Sequence, residues 1–279
     1  MKPVVVAIAA LMLAPGAASA DRVTVPLEIR NGFPIVVAKI DGKPLPLMVD
    51  IGGDFYLTLS ESALQGLKTT RLAEMYEFSD AKGNVLRTPM FAVARMEIGA
   101  AVFADVKGHL DTSHPTYQAQ TEGRAGMIGV PLLQAYTVVF DYAGREMILL
   151  SGEGAEWSGC TGAEVPFMPQ WEGSPVTRIT TDAGELAMVW DTGAPLSMIR
   201  KGFVVQRGLE AGNATWTSAR FGLGGTNFGP HSFHVLDYVE PAGTDGFIGY
   251  PFFEKNVVCL DFPRKRLFVA KSGITPASR

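Results

Sequence analysis

The sequence predicts an all-β protein made of two similar lobes. Short runs in which apolar and polar residues alternate, separated by turn-forming dipeptides, support the all-β class. Alternation with a period of two is typical of strands that bury one face. A pair of segments near residues 50 and 128 recurs, in the same order, near residues 191 and 248. This repeat indicates that one structural unit occurs twice along the chain.

The first 20 residues are predicted to be a signal peptide. Lys2 precedes an apolar stretch over residues 4–13, and Ala18-Ser19-Ala20 is the small-residue pattern that signal peptidase accepts. The mature chain is expected to start at Asp21, which is not the Cys that bacterial lipid attachment requires. Since no later segment approaches the roughly 20 unbroken apolar residues of a membrane span, we expect a periplasmic or secreted protein.

The β pattern begins directly after this leader. Apolar residues at positions 23, 25, 27 and 29 alternate with other residues up to Asn31-Gly32, and a second apolar run over residues 34–40 precedes Asp41-Gly42. Both dipeptides supply the positive φ angles that tight hairpins require. The resulting meander leads into the strand that ends at Asp50. Helices are predicted only for residues 61–67 and 201–208.

Two pairs of matching segments define the lobes. Leu-Met-Val-Asp-Ile-Gly-Gly at 47–53 matches Met-Val-Trp-Asp-Thr-Gly-Ala at 188–194, and residues 126–133 match residues 246–253 around an Ile-Gly pair. We place the N-terminal lobe at residues 21–155 and the C-terminal lobe at residues 156–279. The aspartates are 141 residues apart (191 − 50) and the Ile-Gly pairs 120 apart (248 − 128), so the first lobe has 21 more residues, which we assign to segment 109–124.

Net charge argues against one class of partner, and the cysteines suggest a disulfide. The net charge is −4 and no basic run offers a footprint for phosphate groups, so nucleic acid is not an expected partner. Cys160 and Cys259 are the two cysteines of the chain, and export would place them where disulfides persist. A single bridge is therefore the first hypothesis, with two buried thiols as the alternative.

The repeated aspartates predict acid–base chemistry. Asp50 and Asp191 each end an apolar strand, and a glycine two residues later lets the backbone turn so that N–H groups point at the carboxylate. Two such loops related by a pseudo-twofold axis would bring one carboxylate from each side. Close carboxylates cannot both ionise easily and share a proton, so one can act as base and the other as acid.

These motifs resemble the aspartic-protease superfamily. Asp191-Thr192-Gly193-Ala194 is similar to its Asp-Thr-Gly-Ala motif, and residues 246–253 are similar to its second signature, an apolar strand ending in Gly. The resemblance implies two pseudo-symmetric β-barrel lobes around a cleft, with Asp50 and Asp191 as catalytic residues and Gly52, Thr192, Gly193 and Ala194 as supporting motif residues. It implies hydrolysis of peptide or protein substrates by an activated water, with no metal and no cofactor, in a chain that can act as a monomer.

The first motif departs from this pattern at Ile51. The family has Thr or Ser there, whose hydroxyl binds the backbone of the opposite lobe, and Ile51 cannot make that bond. Thr192 then supplies one half of the brace between the two loops, and the other half is missing. Gly53 also lacks a hydroxyl that some relatives use to bind the catalytic carboxylate. An inactive periplasmic protein that binds peptides, or an inhibitor-like protein of the same fold, is therefore the alternative to an active peptidase.

The resemblance also implies β-hairpin flaps over the cleft. We assign them to residues 76–88, turning at 82–84, and to residues 215–228 in the second lobe. Tyr76, Phe78, Trp216 and Phe221 are candidate cleft-facing aromatics, with a place in a lobe core as the alternative.

Three other patterns were weighed and set aside. His231 and His234 are poor joint metal ligands, because residues three apart in a strand point to opposite faces. Ser60 and Ser197 lack the Gly-x-Ser-x-Gly context of a nucleophile. Asp141 and Asp261 each precede a turn with Gly or Pro and are interpreted as backbone caps.

Overall fold

The computed structural model describes residues 21–79, 85–112, 123–152, 160–170, 173–209, 214–237 and 243–272. Within these ranges the fold is nearly all β, as the sequence predicted. The predicted signal peptide, the lobe boundary at 155/156 and the flap turn at 82–84 lie outside the described residues.

The strands form three sheets. One sheet belongs to the N-terminal lobe, with the order β2-β3-β4-β9-β5-β8-β7-β6. Its strands are β2 (Glu28–Arg30), β3 (Phe33–Ile40), β4 (Lys43–Asp50), β5 (Leu57–Leu59), β6 (Thr69–Ser79), β7 (Val85–Ile98), β8 (Ala101–Leu110) and β9 (Gly126–Gly129).

A second sheet belongs to the C-terminal lobe. Its strands are β13 (Met168–Gln170), β14 (Ser174–Thr181), β15 (Gly184–Trp190), β16 (Met198–Arg200), β17 (Thr215–Ser218), β18 (Gly222–Leu223), β19 (Thr226–Asn227), β20 (His231–Leu236) and β21 (Gly246–Ile248). The helices of the described residues are short: α1 (Glu61–Leu64), α2 (Lys201–Gln206), α3 (Tyr250–Phe253) and a 3-10 turn at Val130–Leu132. In this part of the chain, no helix has the length and apolar character needed to cross a membrane.

The third sheet joins the two halves, which the sequence analysis did not foresee. Its order is β1-β11-β10-β22-β23-β12, so each half of the chain contributes three strands. These are β1 (Asp21–Pro26), β10 (Thr137–Asp141), β11 (Glu146–Ser151), β12 (Ala163–Pro166), β22 (Asn256–Asp261) and β23 (Arg266–Lys271). The central β10–β22 pair carries hydrogen bonds directly from one half to the other.

The first hairpins follow from their turn residues. Asn31-Gly32 joins β2 to β3 and Asp41-Gly42 joins β3 to β4, and all four residues have positive φ. Because each turn contains only two residues, it fixes the register of its strands. β4 therefore has a defined position in the sheet, and Leu47, Met48 and Val49, directly before Asp50, are fully buried.

The repeated segments pair with each other inside each lobe. β4 runs parallel to β9, with Val49 opposite Ile128, and β15 runs parallel to β21, with Trp190 opposite Ile248. Each Ile-Gly motif thus supports the strand that ends at the aspartate of the same lobe. The two pairings use equivalent residues, so the sequence repeat corresponds to one structural unit used twice.

The caps at the turns of the joining sheet agree with the sequence interpretation. Asp141 accepts a hydrogen bond from the N–H of Gly144 at 2.8 Å, and Asp261 accepts one from the N–H of Arg264 at 3.1 Å. Both aspartates therefore stabilise turns and form no second acid pair.

Most of the extra length of the first lobe lies between Leu59 and Leu110, so its assignment to segment 109–124 was wrong. Leu59 and Ile199 are equivalent, because each pairs with the first glycine of its Ile-Gly motif. Leu59 pairs onward with Leu110, 51 residues later (110 − 59), and Ile199 with Val235, 36 residues later (235 − 199). This interval holds 15 of the 21 additional residues (51 − 36) and contains β6 and β7.

The second flap was also assigned wrongly. Residues 215–228 do not form one hairpin, because β17 pairs with β20 while β18 pairs with β14 and β19. The β18–β19 turn at Gly224-Gly225 packs against the backbone of Glu164, at the edge of the joining sheet. Glycines with positive φ permit this tight turn.

The two cysteines form the predicted bridge. Cys160 and Cys259 have Cα atoms 5.7 Å apart and are 99 residues apart in sequence. Cys259 lies on β22, buried opposite Val139 of β10. The bridge therefore ties the chain segment that enters β12 to the centre of the joining sheet.

Removing this bridge should lower stability. A loop of this length loses entropy in the unfolded chain equivalent to about 4–5 kcal/mol, so we expect the double substitution Cys160→Ser/Cys259→Ser to cost about 3–5 kcal/mol. Urea unfolding of oxidised wild type, reduced wild type and the double variant measures this cost. A reductant should leave the double variant unchanged, and equal midpoints for all three samples would contradict the prediction.

Candidate active site

The two motif aspartates meet between the lobes. Asp50 ends β4 and Asp191 directly follows β15, and their side chains are close enough to shift each other's pKa. Each carboxyl also lies against a glycine of the opposite loop. A Cβ added to Gly52 would stand 2.6 Å from Asp191 Oδ1, and one added to Gly193 would stand 2.6 Å from Asp50 Cγ. Glycine is therefore required at both positions for the loops to approach this closely.

The two loops hold their carboxylates in the same way. The N–H of Gly52 donates to Asp50 Oδ1 at 2.9 Å, and the N–H of Gly193 donates to Asp191 Oδ1 at 2.7 Å. In each loop the N–H of the next residue, Gly53 or Ala194, also bonds the aspartate carbonyl at 3.3 Å. The supporting glycines of both motifs thus act through their backbone.

A single threonine hydroxyl bridges the loops. Thr192 Oγ1 accepts the N–H of Ile51 at 3.0 Å and donates to the carbonyl of Val49 at 2.7 Å. The side chain of Ile51 is fully buried in the apolar core and makes no reciprocal bond. Thr192 therefore forms the half-brace that the resemblance implied.

A second bridge was missed by the sequence analysis. Ser174, at the start of β14, is fully buried and donates to the carbonyl of Gly52 at 3.1 Å. It thereby links the second lobe to the loop of the first aspartate. No sequence signal identifies this serine, because its role depends on the packing of one lobe against the other.

The electrostatics of the pair are asymmetric. Burial raises the pKa of Asp191 well above its ordinary value, and the charge and hydrogen bond of Asp50 raise it further. Burial also raises the pKa of Asp50, but hydrogen bonds from Asp191, Gly52 and Gly53 and the charge of Arg124 oppose that rise. Both pKa values are raised, so the two carboxyls behave as one coupled pair that retains a single proton.

The first flap brings a predicted aromatic to the loop that follows Asp50. Tyr76 and Phe78 lie on β6, which pairs with β7 along the predicted hairpin. The Tyr76 hydroxyl donates to Asp54 Oδ1 at 2.7 Å, four residues beyond Asp50. Tyr76 therefore contacts the loop that follows Asp50, and Phe78 stacks on Tyr76 with ring centroids 6.0 Å apart.

Trp216 and Phe221 lie in the core of the second lobe instead of facing the cleft. Trp216 is 6% exposed and stacks on Phe233 at 5.5 Å, and Phe221 is 1% exposed and lies 4.5 Å from the ring of Phe252. The alternative reading of these two aromatics as core residues is the one that the structure supports.

Ser197 and His231 form a buried pair behind the second motif. Ser197 Oγ accepts the N–H of Gly249 at 3.1 Å and lies 2.8 Å from His231 Nε2. Burial, aided by the charge of Lys255, lowers the pKa of His231 to about 4. The imidazole is therefore neutral near pH 7 and shares a hydrogen bond with the serine hydroxyl. This pair supports the Ile-Gly motif and is too buried to serve as a nucleophile.

Removing the Thr192 hydroxyl should be costly. Thr192→Val leaves one buried N–H and one buried carbonyl without their partner, which we expect to cost about 2–4 kcal/mol of stability and to lower activity. Thr58→Val is the matched control, since Thr58 is also fully buried and its hydroxyl accepts the N–H of Met127 at 3.1 Å. Equal losses in urea unfolding and in kcat/KM for the two variants would argue against a special role for Thr192.

The buried His231 should make the fold sensitive to acid. The unfolded chain takes up a proton near the ordinary pKa of 6.5 while the folded protein does so only near 4, so stability falls as the pH drops through this window. The loss should approach about 2–3 kcal/mol at pH 4. His231→Gln keeps an acceptor for Ser197 and should remove this component. Parallel pH–stability curves for the two proteins would show that His231 is not responsible.

Comparisons with known proteins agree with the architecture. No family model matches the chain, and no curated protein matches it in sequence. Among solved structures, an aspartic proteinase from Irpex lacteus is similar with a TM-score of 0.61 and 14% identity, over 92% of this chain and 99% of the other. Basic 7S globulin from soybean is similar with a TM-score of 0.59 and 11% identity, over 91% and 96% of the two chains. At these identities the likeness concerns the fold alone, and the chain therefore has an aspartic-protease-like fold.

Proposed function

We propose that the protein is an aspartic-type endopeptidase that hydrolyses peptide bonds with a water activated by Asp50 and Asp191. The observation that supports this most strongly is the close approach of two carboxyls, one supplied by each lobe, with each lying against a glycine of the opposite loop. An enclosed pair that shares one proton contains both a base and an acid at one point, which is what amide hydrolysis requires.

In this proposal Asp50 is the base and Asp191 is the acid. Asp50, as the carboxylate, takes a proton from the water while the oxygen of that water attacks the substrate carbonyl carbon. Asp191, as the acid, gives its proton to the carbonyl oxygen. The tetrahedral intermediate then collapses as the oxygen proton returns to Asp191 and the proton on Asp50 passes to the leaving nitrogen. Both carboxyls end in their starting state, and one water has been consumed.

The remaining assignments belong to the same proposal. The substrate is a peptide or protein segment, the enzyme acts as a monomer because one chain supplies both carboxyls, and the mature protein is exported to the periplasm or secreted. The leader pattern at residues 1–20 and the disulfide favour this location. The mechanism draws its acid and its base from the dyad alone and uses no cofactor.

A non-catalytic peptide-binding or inhibitor-like protein is the alternative, and Ile51 is the observation that favours it. Ile51 has no hydroxyl. Of the two residues that follow the motif aspartates, Thr192 is therefore the one whose side chain bridges the aspartate loops. Displacements of about 1 Å can lower catalysis strongly. The two functions differ in whether a bound peptide is cut.

Hydrolysis of a denatured protein by the purified mature protein tests the proposal. Asp50→Asn and Asp191→Asn should each lower kcat/KM by at least about 10²–10⁴-fold, because each removes one half of the acid–base pair. Undiminished cleavage by either variant would point to a contaminating enzyme. Binding of the intact peptide without cleavage by the wild type would establish the alternative function.

The pH profile of that activity should be bell-shaped. As the pH falls, Asp50 becomes protonated and the base is lost; as it rises, Asp191 loses the shared proton and the acid is lost. Since the pKa of Asp191 is raised, the alkaline limb should lie above the ordinary range of about 4 for aspartate. An alkaline limb within that range would contradict the assigned roles. Rates must be measured within minutes of dilution, so that acid unfolding does not contribute.

A further inference from the structure

A buried imidazole lies beneath the flap of the first lobe. His109 is 7% exposed, and its ring stacks on Tyr76 with centroids 4.1 Å apart and planes 6° apart. Burial lowers the pKa of His109, so the ring is neutral. His109 Nδ1 lies 3.1 Å from the carbonyl of Leu110, which can only accept, so Nδ1 carries the proton. The imidazole is thereby fixed as a flat neutral surface under the tyrosine.

The same tyrosine is bound at its other end by the catalytic loop. Its hydroxyl donates to Asp54 Oδ1 at 2.7 Å, and Asp54 directly follows Gly53 of the Asp50 loop. The ring of Phe55 lies against Gly53, 2.8 Å from a Cβ added there, and meets His109 edge-on at 5.7 Å. Tyr76 thus contacts the loop that holds Asp50 through its hydroxyl and the β8 strand through its ring.

β7, the partner strand of β6, is anchored opposite Tyr76. Thr88 lies opposite Tyr76 in the β6–β7 pair and is fully buried. Its hydroxyl donates to the carbonyl of Leu110 at 3.0 Å, the same carbonyl that His109 approaches. Both strands of the hairpin are therefore anchored across one pair of residues.

The hairpin has weaker support on both sides of this pair. Its register shifts between Arg71 and Met75, just before Tyr76, and β6 is the edge strand of its sheet. The apolar side chain of Met75, next to Tyr76, is 50% exposed, and those of Val85 and Leu86, at the start of β7, are 60% and 40% exposed. The contacts of Tyr76 and Thr88 are consequently the place where the position of the hairpin is set.

We infer that Asp54 and His109 are positioning residues that dock the flap, through Tyr76, onto the loop carrying Asp50. This inference rests on the proposed peptidase function for its catalytic consequence. A phenol that donates to a carboxylate makes a charge-assisted hydrogen bond with a defined direction. Movement of the flap is thereby coupled to the loop that presents the base to the substrate.

A double-mutant cycle tests the dock through activity. Tyr76→Phe keeps the ring on His109 and removes the donor, while Asp54→Ala removes the acceptor. Each should lower kcat/KM for a peptide substrate about tenfold, and the double variant should be no worse than either single variant. Asp54→Asn retains an oxygen acceptor and should restore most of the activity, with melting temperatures close to wild type throughout. Additive losses, or no rescue by Asn, would overturn the inference.

Hydrogen exchange gives a readout that does not depend on catalysis. Tyr76→Phe and Asp54→Ala should increase exchange of the β6 and β7 amides several-fold. Glu77→Gln is the matched control, since the Glu77–Arg87 ion pair lies on the same hairpin at 2.8 Å but is exposed. His109→Phe should preserve protection because it keeps an aromatic surface under Tyr76. Unchanged exchange in the Asp54 and Tyr76 variants would overturn the dock. If exchange increases as expected but the protein has no peptidase activity, the dock stands and only the proposed function is refuted.

Discussion

The structure depends on the close approach of two loops that each begin with an aspartate. Asp50 lies against Gly193 and Asp191 lies against Gly52, so a side chain at either glycine would force the loops apart. At this separation, in an enclosed environment, the second negative charge is too costly to form and one proton stays with the pair. The backbone N–H groups that point at each carboxylate, the Thr192 hydroxyl and the Ser174 hydroxyl all serve to keep this approach fixed.

The rest of the architecture places these loops and prevents them from separating. In each lobe a strand ending at the aspartate is supported by a parallel strand ending in the Ile-Gly motif. Behind them, the joining sheet carries hydrogen bonds from one half of the chain to the other through β10 and β22. The disulfide closes a long loop onto that same sheet. A displacement of either lobe would therefore have to disrupt the joining sheet and a buried threonine bridge.

Much of the fold could be predicted from the sequence because its signals are local or repeated. The turns at Asn31-Gly32 and Asp41-Gly42 require positive φ, and the duplicated motifs indicate equivalent structural units. The joining sheet could not be predicted, since a period of two shows that a strand has one buried face without showing which strand it pairs with. The surplus residues were misplaced for a related reason, because equivalent positions such as Leu59 and Ile199 are defined only by strand pairing.

The sequence identified the charged residues of the candidate site, but it did not identify all the residues that hold them in place. Asp50, Asp191 and Thr192 carry motif signals, but Ser174 and His109 act through contacts between segments distant in sequence. Aromatic residues were the least predictable, since Tyr76 lies beside the loop that follows Asp50 while Trp216 fills a core. The choice between core and cleft depends on the tertiary position of the strand that carries each ring.

The shared proton can be observed directly by carbon-13 NMR of the aspartate carboxyl groups during a pH titration. One carboxyl should remain protonated well above the ordinary aspartate range in the wild type, and its pKa should fall when Asp50 is replaced by Asn, because a neighbouring charge that raises it is then gone. If all aspartates titrate in the ordinary range, or if the raised pKa is insensitive to this substitution, the two carboxyls do not form a coupled pair.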